Sequence, residues 1–167
     1  DDPAERRALQ FATRAVELAP SLENISLAAD LAEQRGDRMR FAGKAEALFP
    51  NDPKSLLLRA RLRASSPAQE DALALIDRIP EGSESWMTAQ MLRASVLQDL
   101  GLPRAALHGL EQARTHTGDT PQLLRRLAEI LAAAGAPDAS IDARKRLLAL
   151  RFDDLGTQRL LISDAQQ

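Results

Sequence analysis

Apolar residues in this chain recur at steps of three and four. Between 120 and 134, Leu123, Leu124, Leu127, Ile130 and Leu131 form one helical stripe with polar residues between them. Between 84 and 100, Trp86, Met87, Met91, Ala94, Leu97 and Leu100 follow a similar pattern, with breaks such as Gln90. Each stripe is bounded by punctuation. Pro3, Pro53, Pro67, Pro103, Pro121 and Pro137 read as first-turn prolines, where the missing N–H costs nothing. Asp2, Asp52, Ser66 and Thr120 precede four of them as caps, and Ser66 to Gln69 reads as a capping box. Pro20, Pro50 and Pro80 each close an apolar segment, and Gly36, Gly101 and Gly135 suit left-handed C-caps.

Between these marks the pattern predicts about nine antiparallel helices: 3–18, then 21–35 with 37–48, 53–64 with 67–79, 84–100 with 103–116, and 120–134 with 137–151. A further helical segment is predicted over 154–167. Connections of only a few residues force neighbouring helices to pack antiparallel.

The pairs repeat. Leu100-Gly101-Leu102-Pro103-Arg104-Ala105 lines up with Ala134-Gly135-Ala136-Pro137-Asp138-Ala139, 34 residues later. Ala94 and Ala128 each stand seven residues before their glycine, where a small side chain lets a neighbouring helix approach closely. A period of this length marks a helical solenoid, in which each unit buries its apolar side against the next. Such a stack offers binding surface and has no inherent catalytic centre.

Composition narrows the reading. There is no Tyr, one Trp and an aromatic content of 3%, so the core is aliphatic and nothing favours strands. The net charge of −2 and the lack of a concentrated basic face argue against nucleic-acid binding. Without cysteine there are no disulfides, thiol chemistry or Cys-based zinc sites. No apolar run approaches the ~20 residues of a membrane span, so direct membrane insertion is not expected.

A small residue in the first helix, Gly at the turn, small residues in the second helix and Pro after it resemble the tetratricopeptide repeat (TPR). Ala8, Ala12, Ala15 and Pro20 match the second-helix half; Ala29 with Gly36, Ala94 with Gly101, Ala106 and Ala113, and Ala128 with Gly135 match the rest. The large aromatics of that family are mostly Leu, Ala or Met here, and 53–64 lacks a turn Gly, which leaves its register open. The resemblance implies an all-α, right-handed TPR-like helical-hairpin solenoid across 1–167. It would comprise a half-repeat at 3–18, repeats at 21–48, 53–79, 84–116 and 120–151, and a half-repeat at 154–167. Leu9, Phe11 and Val16 at one end, and Leu160, Leu161 and Ile162 at the other, look unsheltered. They suggest a segment of a longer array and weak self-association through its ends.

The same resemblance implies where a partner binds. First helices line the concave face of TPR arrays, which places Glu23, Ser26, Asp30 and Glu33 inward in one repeat. Thr88, Met91, Ser95 and Gln98 point inward in another, and Gln122, Arg125, Glu129 and Ala132 in a third. The trough is expected to be acidic at one end and basic further along. The Lys/Asn/Arg clamp of chaperone-tail-binding members is missing, since its positions carry Ser26 and Asp30, or Met91 and Ser95. The degenerate Ala/Leu/Arg-rich repeats look like the periplasmic arrays of bacterial exopolysaccharide exporters of the Pel type. That likeness implies a periplasmic location within an outer-membrane protein, and a polysaccharide deacetylase or hydrolase as protein partner. A regulatory TPR domain of the cytoplasm is the alternative.

Catalysis and cofactors are not expected. His108 and His116 are eight residues apart, too far for a metal pair on one helix face, and no Ser sits in a nucleophile turn. Glu70-Asp71 and Asp153-Asp154 lie at helix starts, where acids complement the dipole. Trp86, Met87 and Met91 read mainly as core, and the aromatics offer little for ring stacking against sugars.

Overall fold

Proline and a preceding side-chain cap set several of the helix starts. The structure, a computed structural model, describes residues 3–150, and every regular element among them is an α-helix. The order is α1 (Pro3–Leu18), α2 (Leu22–Leu31), α3 (Arg35–Leu48), α4 (Pro53–Ala64), α5 (Gln69–Ile76), α6 (Trp86–Asp99), α7 (Pro103–Thr117), α8 (Pro121–Ala133) and α9 (Pro137–Leu150). Asp52 accepts from the Lys54 N–H at 2.8 Å, Thr120 from the Leu123 N–H at 3.3 Å, and Ser21 from the Asn24 N–H at 3.2 Å. Each bond satisfies a donor that the first helical turn leaves unpaired. α1 and α4 begin and end where the sequence pattern places them. The predicted 154–167 segment lies outside the described residues.

Two of the three predicted glycine caps form, and they form alike. Gly101 has φ +74° and Gly135 φ +75°. The Leu102 N–H donates to the Leu97 carbonyl at 2.8 Å, and the Ala136 N–H to the Leu131 carbonyl at 3.0 Å. The glycine N–H groups reach Gln98 and Ala132. This is the Schellman closure, written twice 34 residues apart. Gly36 behaves differently. α2 stops at Leu31 with Ala32 in extended backbone, and Gly36 lies inside the first turn of α3. The Ala32 carbonyl is taken by the Arg38 Nε at 2.5 Å, so a side chain supplies the cap that glycine was expected to make.

The Ser66 capping box does not form either. Ser66 Oγ donates back to the Arg63 carbonyl at 2.8 Å, Ser65 Oγ to the Leu62 carbonyl at 3.2 Å, and Gln69 Nε2 to the Ala64 carbonyl at 3.4 Å. These side chains close the end of α4. α5 begins two residues after Pro67; its cap residue Ala68 has no side chain to cap with, and the Ala68 N–H donates to Ser66 Oγ at 3.2 Å.

The chain divides into two compact units, the first ending at Ala89 and the second starting at Gln90, within α6. In the first unit each of α1 to α4 packs on the next, and α2 also meets α4. Its core joins Val16 of α1, Ile25, Ala28 and Ala29 of α2, Phe41 and Ala45 of α3 and Leu58 of α4. In the second unit α8 packs on both α7 and α9, and Leu110, Leu123, Leu124, Leu127 and Ile130 are buried. Burying each such side chain contributes about 1.5–3 kcal/mol. The buried Ser140 Oγ donates to the Ala128 carbonyl at 2.8 Å, tying α9 to α8.

The outer residues of α1 sort differently from the expectation. Val16 is buried and Leu9 packs against the core, while Phe11 is 75% and Leu18 72% exposed. Phe11 alone of the three named residues is unsheltered, because Val16 falls on the stripe that faces α2. Leu160, Leu161 and Ile162 lie outside the described residues.

Candidate functional site

The opening helix of each pair carries the residues expected to face a partner, and its small buried alanine fixes their register. Ala60 stands 34 residues before Ala94 and 31 after Ala29, and all three are buried, as is Ala128. Counting from these alanines puts Lys54, Leu57 and Arg61 of α4 at the positions that Glu23, Ser26 and Asp30 hold in α2. The missing turn Gly leaves the register of α4 open in the sequence, and the alanine spacing is the signal that sets it.

In the first unit, Lys54 Nζ lies 3.9 Å from Glu23 Oε1 and 3.6 Å from Glu84 Oε2. This line runs from the start of α2 across the start of α4 to the turn before α6, and its charges alternate. Lys54 therefore offsets only part of the expected acidic end. All three side chains are at least half exposed, so each pair is worth about 0–1 kcal/mol and is weakened by salt. Farther along the same helices, Asp30 and Arg61 are exposed, and their side chains have no partner among the described residues. Ser26 is half-buried and Leu57 buried, and Thr88 is exposed. Glu33 departs from the expectation. It lies past the end of α2, beside Glu5, Arg6 and Asp37 in a shallow depression against α1.

In the second unit, Ser95 accepts a hydrogen bond from Arg126 Nη2 at 2.8 Å, and Arg126 Nη1 reaches Glu129 Oε2 at 3.0 Å. The guanidinium links α6 to α8, with Nε buried and unbonded. The neighbouring Arg125, singled out from the sequence, is exposed, as are Gln122, Glu129 and Ala132. Met91 and Gln98 are half-buried. Arg126 was missed because it sits one position, about 100° of helix turn, from the residue the family pattern selects. The structure thus joins Ser95 to Glu129 through Arg126, and Glu23 to Lys54, a residue outside those expected to face the partner.

His108 and His116 are exposed on α7, and Trp86, Met87 and Met91 are half-buried. Among the described residues no three His, Cys, Asp or Glu side chains cluster as a metal site would require. Nor is any helix among them long and apolar enough to cross a membrane. The arrangement offers spaced charges and half-buried apolar atoms, which suit a protein segment laid across them.

No family model matches the chain, and no curated protein matches it. Among solved structures, a thermophilic TPR protein of Thermus thermophilus is similar, with a TM-score of 0.76 at 19% identity. The match covers 98% of this chain and 91% of that one. At this identity the likeness speaks for the fold: paired helices stacked as in tetratricopeptide repeats.

Proposed function

We propose that this chain is a non-catalytic protein-interaction scaffold that holds a partner segment against the opening helices of its pairs. We further propose that it works in the bacterial periplasm, within an outer-membrane exopolysaccharide export apparatus, and recruits a polysaccharide deacetylase or hydrolase to the secreted polymer during biofilm matrix secretion. The observation that carries the scaffold reading is the exposed pair Asp30 and Arg61. They hold equivalent positions on α2 and α4, and their side chains make no bond among the described residues. Opposite charges left uncommitted on one helical face orient a partner and speed its encounter more than they add affinity. The export reading rests on the likeness of these degenerate Ala/Leu/Arg-rich repeats to the arrays of Pel-type exporters.

Pull-down from a periplasmic extract tests both halves. The native chain is expected to retain a carbohydrate-active enzyme, and Asp30→Lys with Arg61→Glu is expected to lose it while keeping its helical circular dichroism. Retention of cytoplasmic proteins alone would overturn the export reading. Retention unaffected by the charge reversals would overturn the assigned face.

A further inference from the structure

Away from the opening-helix face, the first unit carries a groove of about 400 Å³ between α3, α4 and α5. Its apolar wall is made by Met39, Ala42, Leu62 and Leu75, and Met39 is 54% exposed. Gly43 also lines it. A glycine inside a helix weakens that helix relative to alanine. No internal contact explains this one, since a Cβ built on Gly43 meets nothing within 4 Å. The space it leaves opens into the groove.

Charge at the rim is unevenly committed. Toward one end Arg59 is held by Glu46 and mostly buried. At the other end α3 starts, α4 stops and α5 starts. There Arg63 Nη1 is 3.9 Å from Asp71 Oδ2, with both side chains more than half exposed. Arg35 has no side-chain partner among the described residues. Arg35 and Arg63 against Asp71 leave that end with one surplus positive side chain; the N-terminal ends of α3 and α5 add to it, and the C-terminal end of α4 opposes them. The groove is open to solvent, whereas small-ligand clefts bury most of their occupant. A chain segment suits it better: aliphatic side chains over Gly43 and Ala42, carboxylates toward Arg35 and Arg63.

We propose that the groove between α3, α4 and α5 is a second docking site, for a short peptide segment of a partner protein that combines aliphatic and acidic side chains. It is independent of the opening-helix face, so one chain can hold two segments at once.

Two-dimensional NMR of the labelled chain, titrated with an end-blocked Leu-Glu-Glu-Leu peptide, tests this. The amides of Gly43, Leu62 and Leu75 are expected to shift. An end-blocked Leu-Lys-Lys-Leu peptide and inorganic phosphate are expected to leave them in place. Arg35→Glu with Arg63→Glu is expected to weaken binding by about tenfold or more. Gly43→Leu fills the groove; it should abolish the shifts without lowering the midpoint of thermal unfolding, which separates loss of the site from loss of the fold. The proposal is overturned if these amides do not move, if the lysine peptide moves them equally, or if phosphate alone does, which would mark a bare anion site. Undiminished binding by Gly43→Leu would overturn it as well.

Discussion

Alanine replacements at four glycines are expected to divide by backbone conformation. Gly101 and Gly135 close α6 and α8 at φ +74° and +75°. A side chain in that left-handed region costs roughly 1–2 kcal/mol, and the stiffer unfolded chain returns roughly 0.4–1. The net expectation is a loss of about 1 kcal/mol for either substitution. Gly118 closes α7 at φ 72° and ψ −168°, a region essentially reserved for glycine, so Gly118→Ala should lose more, about 1–3 kcal/mol. Gly36 lies inside α3 at ordinary φ with open space around its Cα, and Gly36→Ala should gain up to about 0.5 kcal/mol. Urea unfolding followed by circular dichroism ranks the three glycines of the second unit. With a slope of about 1–3 kcal/mol per molar, a loss of 1 kcal/mol lowers the midpoint by roughly 0.3–1 M. Hydrogen exchange of the α3 amides reports Gly36. Equal effects at Gly36 and Gly101, or no loss at Gly118, would refute the backbone assignment.

Leu124 is fully buried, and Leu124→Ala should cost about 2–5 kcal/mol, read as a fall in the urea midpoint of the second unit. Val16→Ala should destabilise measurably, by about 0.5–1.5 kcal/mol or more, whereas Phe11→Ala should stay within about 0.5 kcal/mol because the ring is 75% exposed; thermal melts of the two separate the buried from the bare side of α1. If α1 mediates self-association, Phe11→Ala should also lower the mass seen by sedimentation equilibrium at high concentration. Thr120→Ala removes the cap of α8 and should cost about 1 kcal/mol, with faster exchange at the Leu123 amide.

The legible parts of the chain were those with local, one-residue causes. Asp52-Pro53 set the start of α4, and Gly101 and Gly135 each closed a helix as their sequence context implied, because a cap depends on its own backbone and little else. The illegible parts depended on a side chain reaching back from elsewhere. Gly36 looked like its two counterparts, but Arg38 took the Ala32 carbonyl and ended α2 early. Ser66 reads as a start signal for α5, yet its hydroxyl donates back to the Arg63 carbonyl and accepts from the Ala68 N–H, short of the Gln69 N–H that a capping box would use. The candidate face shows the same division. Family spacing names Ser95, Arg125 and Glu129, while the guanidinium that joins Ser95 to Glu129 belongs to Arg126. Lys54 and Arg61 were recoverable from the buried alanine at position 60, once the shorter spacing back to Ala29 is allowed.

Site-specific photo-cross-linking addresses the scaffold assignment most directly. A benzophenone side chain would replace Asp30 or Arg61 on the opening helices, and the exposed Ala105 on α7, away from both proposed sites, as the control position. In intact cells irradiated with the native partner present, Asp30 and Arg61 are expected to trap one common polypeptide that Ala105 does not. Trapping from Ala105 alone, or unrelated polypeptides from Asp30 and Arg61, would contradict the account.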